Sequence, residues 1–272
     1  MRRTGWTWTW TCAVLLLSSW APLIGVSADD LDVNEIMKRV YDRDDGDDAS
    51  SEIQMVLTDR SGAVRERRIK TLAKDFGADT RQVIYFLSPA DVEGTGFLTF
   101  DYAGVARDDD QWLYLPSLKK TKRIASADQS GKFLGTDFNY ADLTERENDQ
   151  YAFELLGTED VRGEPAWKIR ATPNEREIER TGYTKSVIWV LKSSYVVVRA
   201  VHYVREGQKL KYFDVSKLEL VEGIWSPTEV SMTTKLKDQS VEHRTVLTTS
   251  NLDYGQSHDP ELFSVRQLEK GP

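Results

Sequence analysis

Cysteine is all but absent from this 272-residue chain: Cys12 stands alone, ahead of the first apolar run. No intramolecular disulfide can form, so a buried core must hold the fold by itself. Histidine is scarce as well. His202, His243 and His258 show no HExxH or comparable spacing, so no metal centre is indicated. His202 falls on a β-type run and reads as a strand-face residue, and the other two read as solvated. There is no GxSxG elbow, and Gly131-Lys132 lacks both the earlier glycine and the following Ser/Thr of a phosphate loop. Cofactor chemistry has no handle here. The strand-then-long-helix rhythm of parallel sheets is missing, and so is any fixed-length repeat, which disfavours nucleotide-binding α/β folds, propellers and solenoids.

Positive charge is also in deficit: 36 Lys and Arg stand against 44 Asp and Glu, a net of −8. Residues 1–28 contain two of those arginines and no acid, so the remainder is more acidic still. A chain of this balance is repelled by phosphate backbones, which argues against nucleic acid as a partner. Acidic clusters offer little chemistry of their own. Gly46 and Glu52 have EF-hand spacing, but Tyr41 and Arg43 would occupy the first and third ligand positions, so the stretch reads as a solvated turn. Asp108-Asp109-Asp110 reads as a polar hairpin tip.

What is present begins with a targeting segment. Arg2 and Arg3 precede an apolar run that ends at Val26-Ser27-Ala28, the pattern of a signal peptide over 1–28 that is cleaved near Ala28. Export to the periplasm follows, with one domain over 29–272, no transmembrane anchor after processing, and no cysteine at the cleavage point to carry a lipid.

Asp32 followed by Glu35 has capping-box spacing, and Val33, Ile36, Met37 and Val40 recur at helical intervals, predicting one amphipathic helix over 33–41. From Glu52 onward, short runs rich in Val, Ile, Thr, Tyr and Trp alternate with polar residues. Ile53, Met55 and Leu57 share one face, and comparable runs occupy 81–87, 96–102, 111–115, 151–156, 166–171, 186–191, 195–205, 210–220, 224–236 and 241–252. Glycines at 59–62, 205–208 and 221–223 supply hairpin turns, so consecutive strands pair antiparallel. Segment 116–150 breaks this rhythm and reads as a lid with a short helix near 140–147.

Aromatic residues are abundant: Phe86, Phe97, Phe100, Trp112, Tyr114, Phe133, Phe138, Tyr151, Phe153, Trp167, Trp189, Tyr203, Phe213 and Trp225 lie on these runs or in the lid. Part of the set is core. A curved sheet with so little helix to cover it leaves some of these side chains to line a cavity able to hold acyl chains.

Three stretches carry a family resemblance: Gln111-Trp112-Leu113-Tyr114-Leu115-Pro116 with Lys122-Arg123-Ile124 behind it, Gly131-Lys132-Phe133-Leu134-Gly135-Thr136-Asp137-Phe138, and Pro89-Ala90-Asp91-Val92-Glu93-Gly94-Thr95-Gly96-Phe97-Leu98. The chain resembles the outer membrane lipoprotein-sorting (LolA-like) proteins of Gram-negative bacteria. The resemblance implies a mainly β fold: a strongly curved antiparallel sheet forming a half-open barrel, with an N-terminal helix and a lid. It also implies a periplasmic carrier of lipoprotein or lipid acyl chains that is not an enzyme, and a partner among inner-membrane exporters of the resistance-nodulation-division type. Phe97, Trp112, Tyr114, Phe133 and Phe138 are the expected cavity or lid contacts, with Trp112→Ala expected to weaken cargo binding more than stability. Lys119, Lys120, Lys122 and Arg123 are the expected headgroup or partner contacts. The family's strand-to-lid arginine matches no definite position in this sequence. Two other readings remain: a periplasmic lipid-sensing regulatory domain, and a hydrolase of envelope glycan or lipid, which would need two carboxylates converging in the cavity with at least one raised pKa.

Overall fold

Alternation of apolar and polar residues starts four positions earlier than Glu52 and produces thirteen strands in a computed structural model that describes residues 32–272 apart from Glu206 and Gln208. The expected signal peptide, and part of the hairpin at 205–208, lie outside the described residues. The first six strands are β1 (Asp48–Asp59), β2 (Val64–Phe76), β3 (Asp79–Ser88), β4 (Gly96–Asp101), β5 (Asp110–Leu115) and β6 (Lys120–Ile124). The other seven are β7 (Tyr151–Val161), β8 (Glu164–Pro173), β9 (Tyr183–Leu191), β10 (Val197–Val204), β11 (Lys209–Val221), β12 (Ile224–Leu236) and β13 (Val241–Tyr254).

All pairings are antiparallel, and the order across the single sheet is β6-β5-β4-β3-β2-β1-β13-β12-β11-β10-β9-β8-β7. The chain therefore meanders outward from the middle to β6, crosses to the opposite edge through residues 125–150, and meanders back to pair β13 with β1. The sheet is not closed into a barrel, because its edges β6 and β7 do not pair. It is nonetheless strongly curved. β5 and β9 are nine inter-strand steps apart, roughly 43 Å in a flat sheet at ~4.8 Å per step. Yet Arg180, just before β9, places Nη1 3.5 Å from Oδ2 of Asp109, just before β5.

Three helices accompany the sheet. The first, α1 (Val33–Tyr41), has the predicted bounds and buries Ile36 and Met37. Its cap is Asp32, whose carboxylate accepts from the Asn34 amide at 3.2 Å; Glu35 does not complete a capping box but instead accepts from Arg39 Nε at 2.9 Å. Helices α2 (Glu175–Thr181) and α3 (Val265–Lys270) are additions that sequence periodicity did not show, each being under two full turns. Gly46 makes the turn from α1 into β1: its φ is +89°, and a Cβ there would run into the Tyr254 ring.

The acidic stretch after α1 is not wholly solvated. Asp48 opens β1 and is buried, with Lys74 Nζ at 2.7 Å and the His258 ring against its other oxygen. Residues 116–150 also differ from a continuous lid. Lys120, Lys122 and Arg123 lie on β6, whose alternation is masked because an edge strand carrying charge on its open side needs no apolar stripe. The expected helix near 140–147 is a shorter 3₁₀ turn over Tyr140–Leu143.

Strand alternation sorts the aromatic residues onto two faces. On the inner face, Met55, Leu57, Ile69, Ile84, Phe86, Phe97 and Leu113 pack around Phe133 of the crossing segment. On the outer face, Leu72, Tyr85, Leu98, Phe100, Trp112 and Tyr114 are covered by the C-terminal Phe263 and Leu268.

Candidate functional site

The crossing segment is pinned where it passes the middle of the sheet. Asp137 is 0% exposed, and its carboxylate accepts from Thr234 Oγ1 at 2.5 Å and Thr245 Oγ1 at 2.8 Å, with His243 Nδ1 at 2.6 Å. His243, expected to be solvated, is thus buried on β13 against the crossing segment. Lys211 Nζ donates to the Asp137 carbonyl at 2.5 Å and to Asn139 Oδ1 at 2.6 Å, and burial lowers its pKa to about 8. Farther along, Arg67 on β2 donates to the Leu134 carbonyl at 2.9 Å, and Gln111 on β5 donates to the Tyr140 carbonyl at 3.0 Å. Arg67 is a strand-to-lid arginine that sequence matching left unassigned; it stands beside Arg65 and Arg68, and of the three only Arg67 is buried.

This pinning splits the inner face. Over β1–β6, Phe133, Leu134, Tyr140 and Leu143 fill one end of the space, and a polar hollow of about 380 Å³ lined by Gln82, Thr99, Asp101 and Glu145 lies at the other. Over β7–β12 a cavity of about 320 Å³ remains. Its walls are Met37 and Val40 of α1, Phe138 of the crossing segment, and Phe153, Ala171, Ile188, Val197, Ala200, Phe213 and Met232 of the sheet. The helix that roofs it is held by a few polar contacts: Asn148 Nδ2 donates to the Met37 carbonyl at 3.1 Å, and Tyr41 Oη donates to Glu147 at 3.3 Å.

One patch of the wall is polar. Asp142 accepts from the Asn139 amide at 2.8 Å, from Tyr183 Oη at 2.8 Å and from Arg146 Nη2 at 3.1 Å. Its carboxyl stays below the ordinary range: burial opposes ionisation, but Arg146, Lys211 and these donors outweigh it. His202 stacks on Tyr183 with ring centroids 4.6 Å apart and shares a 2.7 Å hydrogen bond with Ser186. Burial, with Arg146 beside it, pushes the His202 pKa down to about 3, so the ring is neutral. At the cavity edge lie Asp45 and Glu145. Both are exposed to solvent on one side, and desolvation on the side facing the protein raises both, Glu145 to about 7, with repulsion from Asp45 adding to the Glu145 shift. Next to them, burial and then Asp109 raise Asp101 to about 7, and its carboxylate accepts from the Glu145 amide at 2.6 Å.

Of the five aromatic candidates, Phe138 lines the cavity. Phe97 and Phe133 touch each other, centroids 5.1 Å apart, in the cluster packed over β1–β6. Trp112 and Tyr114 lie on the outer face, away from both, because Leu113 between them points inward. Lys119 is a turn residue, while Lys120, Lys122 and Arg123 are exposed on β6, an edge strand that does not line the cavity. Arg123 Nε donates to Asp110 at 2.8 Å; that aspartate is buried at the start of β5 rather than at a hairpin tip. Sequence reasoning missed Met37, Val40, Arg146 and His202. The apolar stripe of α1 was legible and had to cover something, whereas nothing around Arg146 distinguishes it from its charged neighbours. Among the described residues no group of three or more His, Cys, Asp or Glu could hold a metal ion, and no helix is long and apolar enough to cross a membrane.

This fold is shared with solved lipoprotein-sorting proteins. A DUF1329 family protein from Desulfovibrio piger is 30% identical over 86% of this chain and 96% of its own, with a TM-score of 0.78. An outer membrane lipoprotein-sorting protein domain from Vibrio parahaemolyticus is 29% identical over 86% and 97%, with a TM-score of 0.77. The LolA superfamily protein NE2245 from Nitrosomonas europaea shares the fold at 20% identity over 87% and 99%, with a TM-score of 0.66. A family model described as "Uncharacterized protein" matches residues 78–270, and no curated protein matches. The chain belongs to the DUF1329 family, and it shares its fold with outer membrane lipoprotein-sorting and LolA superfamily proteins.

Proposed function

We propose that this protein is a periplasmic carrier, exported by a signal peptide over residues 1–28, whose cavity takes up acyl chains of a lipid or lipoprotein and passes them between envelope membranes. The observation that carries the proposal is the apolar cavity under α1: ten side chains from the helix, the crossing segment and six strands present hydrocarbon to an unfilled space. Each methylene moved from water into such a space contributes ~0.8 kcal/mol, enough to retain a chain until a partner offers a better apolar site. The lipoprotein-sorting name of the Vibrio relative points the same way. The basic edge strand β6, with Lys120, Lys122 and Arg123, is the surface we assign to an acidic partner or membrane face. The expectation of a resistance-nodulation-division exporter finds no support in the fold or in the comparisons.

The test is native mass spectrometry with lipid extraction on protein purified from its own envelope. A bound acyl species released on denaturation is expected; a ligand-free mass that stays unchanged on adding lipids overturns the carrier reading.

A second reading, hydrolysis of an envelope glycan or lipid, draws on Asp45 and Glu145, two carboxylates with raised pKa at the cavity edge. Incubation with envelope lipids and glycans separates the two. A carrier returns its ligand intact, whereas an enzyme yields cleaved product that is lost in Glu145→Gln.

A further inference from the structure

The polar patch in the cavity wall has donors to offer but no charge to spare. Arg146 carries five N–H groups, and among the described residues it makes one hydrogen bond, to Asp142. Its side chain keeps 31% of its surface, and it lines the cavity. Asp142 balances its charge and, through Tyr183 Oη and the Asn139 amide, holds the pair in place. The neighbouring cation, Lys211, already donates to the Asp137 carbonyl and to Asn139. Arg43 donates to the carbonyls of Asp44 and Trp225 at 2.9 and 3.2 Å. The other ionisable groups at the cavity edge, Asp45 and Glu145, are acids. His202 completes the patch as a neutral ring.

Resting on the carrier reading, we propose that the cavity recognises a neutral acyl carbonyl, an ester or an amide, through the spare N–H groups of Arg146, and discriminates against the free carboxylate of a fatty acid. The physical reason is a difference in what each head leaves behind. A carbonyl oxygen accepts hydrogen bonds from Arg146 and adds no charge. A carboxylate adds an uncompensated negative charge to a half-buried Arg146–Asp142 pair that is already neutral, and it faces Asp45 and Glu145 as well. The space suits one chain: about 320 Å³ holds on the order of ten groups the size of a water molecule, taking ~30 Å³ for each.

The experiment is displacement of the neutral dye N-phenyl-1-naphthylamine from the wild-type protein by methyl dodecanoate, N-methyldodecanamide and dodecanoate at pH 8. At least one of the two neutral forms is expected to bind tenfold or more tighter than the acid, and which of them leads separates ester-linked from amide-linked cargo. The gap should narrow at pH 5 as the fatty acid gains its proton. In Asp142→Asn, which leaves the Arg146 charge uncompensated, dodecanoate should come within about twofold of the neutral forms, whereas Arg146→Met should weaken the neutral forms while chain binding persists, and Arg146→Lys should keep part of their affinity. Dodecanoate binding as tightly as both neutral forms overturns this inference and leaves the carrier reading standing. No displacement by any of the three overturns both.

Discussion

Nδ1 of His243 lies 2.6 Å from Oδ2 of Asp137, joining β13 to the segment that crosses the inner face from one sheet edge to the other. Thr234 and Thr245 complete the same carboxylate, and Lys211 takes the Asp137 carbonyl. The crossing segment is therefore fixed at its middle, and the cavity lies between this fixed point and α1.

Asp137→Ala leaves two hydroxyls and an imidazole buried without their acceptor. A loss of roughly 3–5 kcal/mol is expected, as for one member of a buried polar pair. Urea unfolding measures it. Hydrogen exchange should show the faster opening concentrated in residues 133–143 and in β12 and β13. A loss under 1 kcal/mol would mean the segment is held by Phe133 and its aromatic neighbours instead.

Trp112 and Leu268 belong to the outer face, so their effects should separate from those of the cavity. Leu268 is 0% exposed and seats against Gly96, where a Cβ would come within 2.6 Å of its Cδ1. Leu268→Ala is expected to cost about 2–5 kcal/mol, and Trp112→Ala a similar amount, with acyl binding at saturating folded protein unchanged. Calorimetry paired with dye displacement reads both quantities. Weaker binding by Trp112→Ala at equal folded fraction would return this residue to the cargo path.

The strands were legible because half-buried β runs alternate, and α1 was legible because Val33, Ile36, Met37 and Val40 repeat at helical spacing. β2 and β6 were not, since both show charge where alternation would show hydrophobes: Arg65, Arg67, Arg68, Lys70 and Lys74 on β2, and Lys120, Lys122 and Arg123 on the edge strand β6. Which face is inner depends on the return of β13 to β1, a contact made across nearly the whole chain. That pairing is invisible to local pattern. For this reason Phe97 and Trp112, from two recognised motifs on adjacent strands, end on opposite faces, and the cavity lies over β7–β12 instead of over the strands that carry those motifs.

Two acids and one histidine set opposing pH trends. Asp101 and Glu145 have folded pKa values of about 7, above their ordinary 3.8 and 4.5, so from roughly pH 4 to 7 the folded chain keeps protons that the unfolded chain has lost. Their contribution to stability falls as pH rises through that window. His202 runs the other way: unfolded, it gains a proton below 6.5, but folded only near 3, so stability falls on acidification between those values. Asp101→Asn keeps an acceptor for the Glu145 amide and removes the buried charge. At pH 8 it should raise stability by on the order of 1 kcal/mol, about 2–4 °C in Tm, with little change at pH 5. Melting curves at both pH values check it; equal shifts at the two would show that charge is not the cause.

Ala200 on β10 lines the cavity between α1 and the sheet. An indole placed there occupies space the acyl chain would use, and it touches none of the groups that pin the crossing segment. Ala200→Trp is therefore expected to weaken binding of methyl dodecanoate by tenfold or more. Its stability cost should stay within the ~1–3 kcal/mol typical of overpacking, because the ring enters a void instead of a filled core. Dye displacement and urea unfolding on the same sample decide it. Retained binding would place the chain elsewhere on the inner face. Lost binding with a stable fold, set beside Asp137→Ala, which loosens the crossing segment without filling the cavity, separates the space that holds the cargo from the fastening that shapes it.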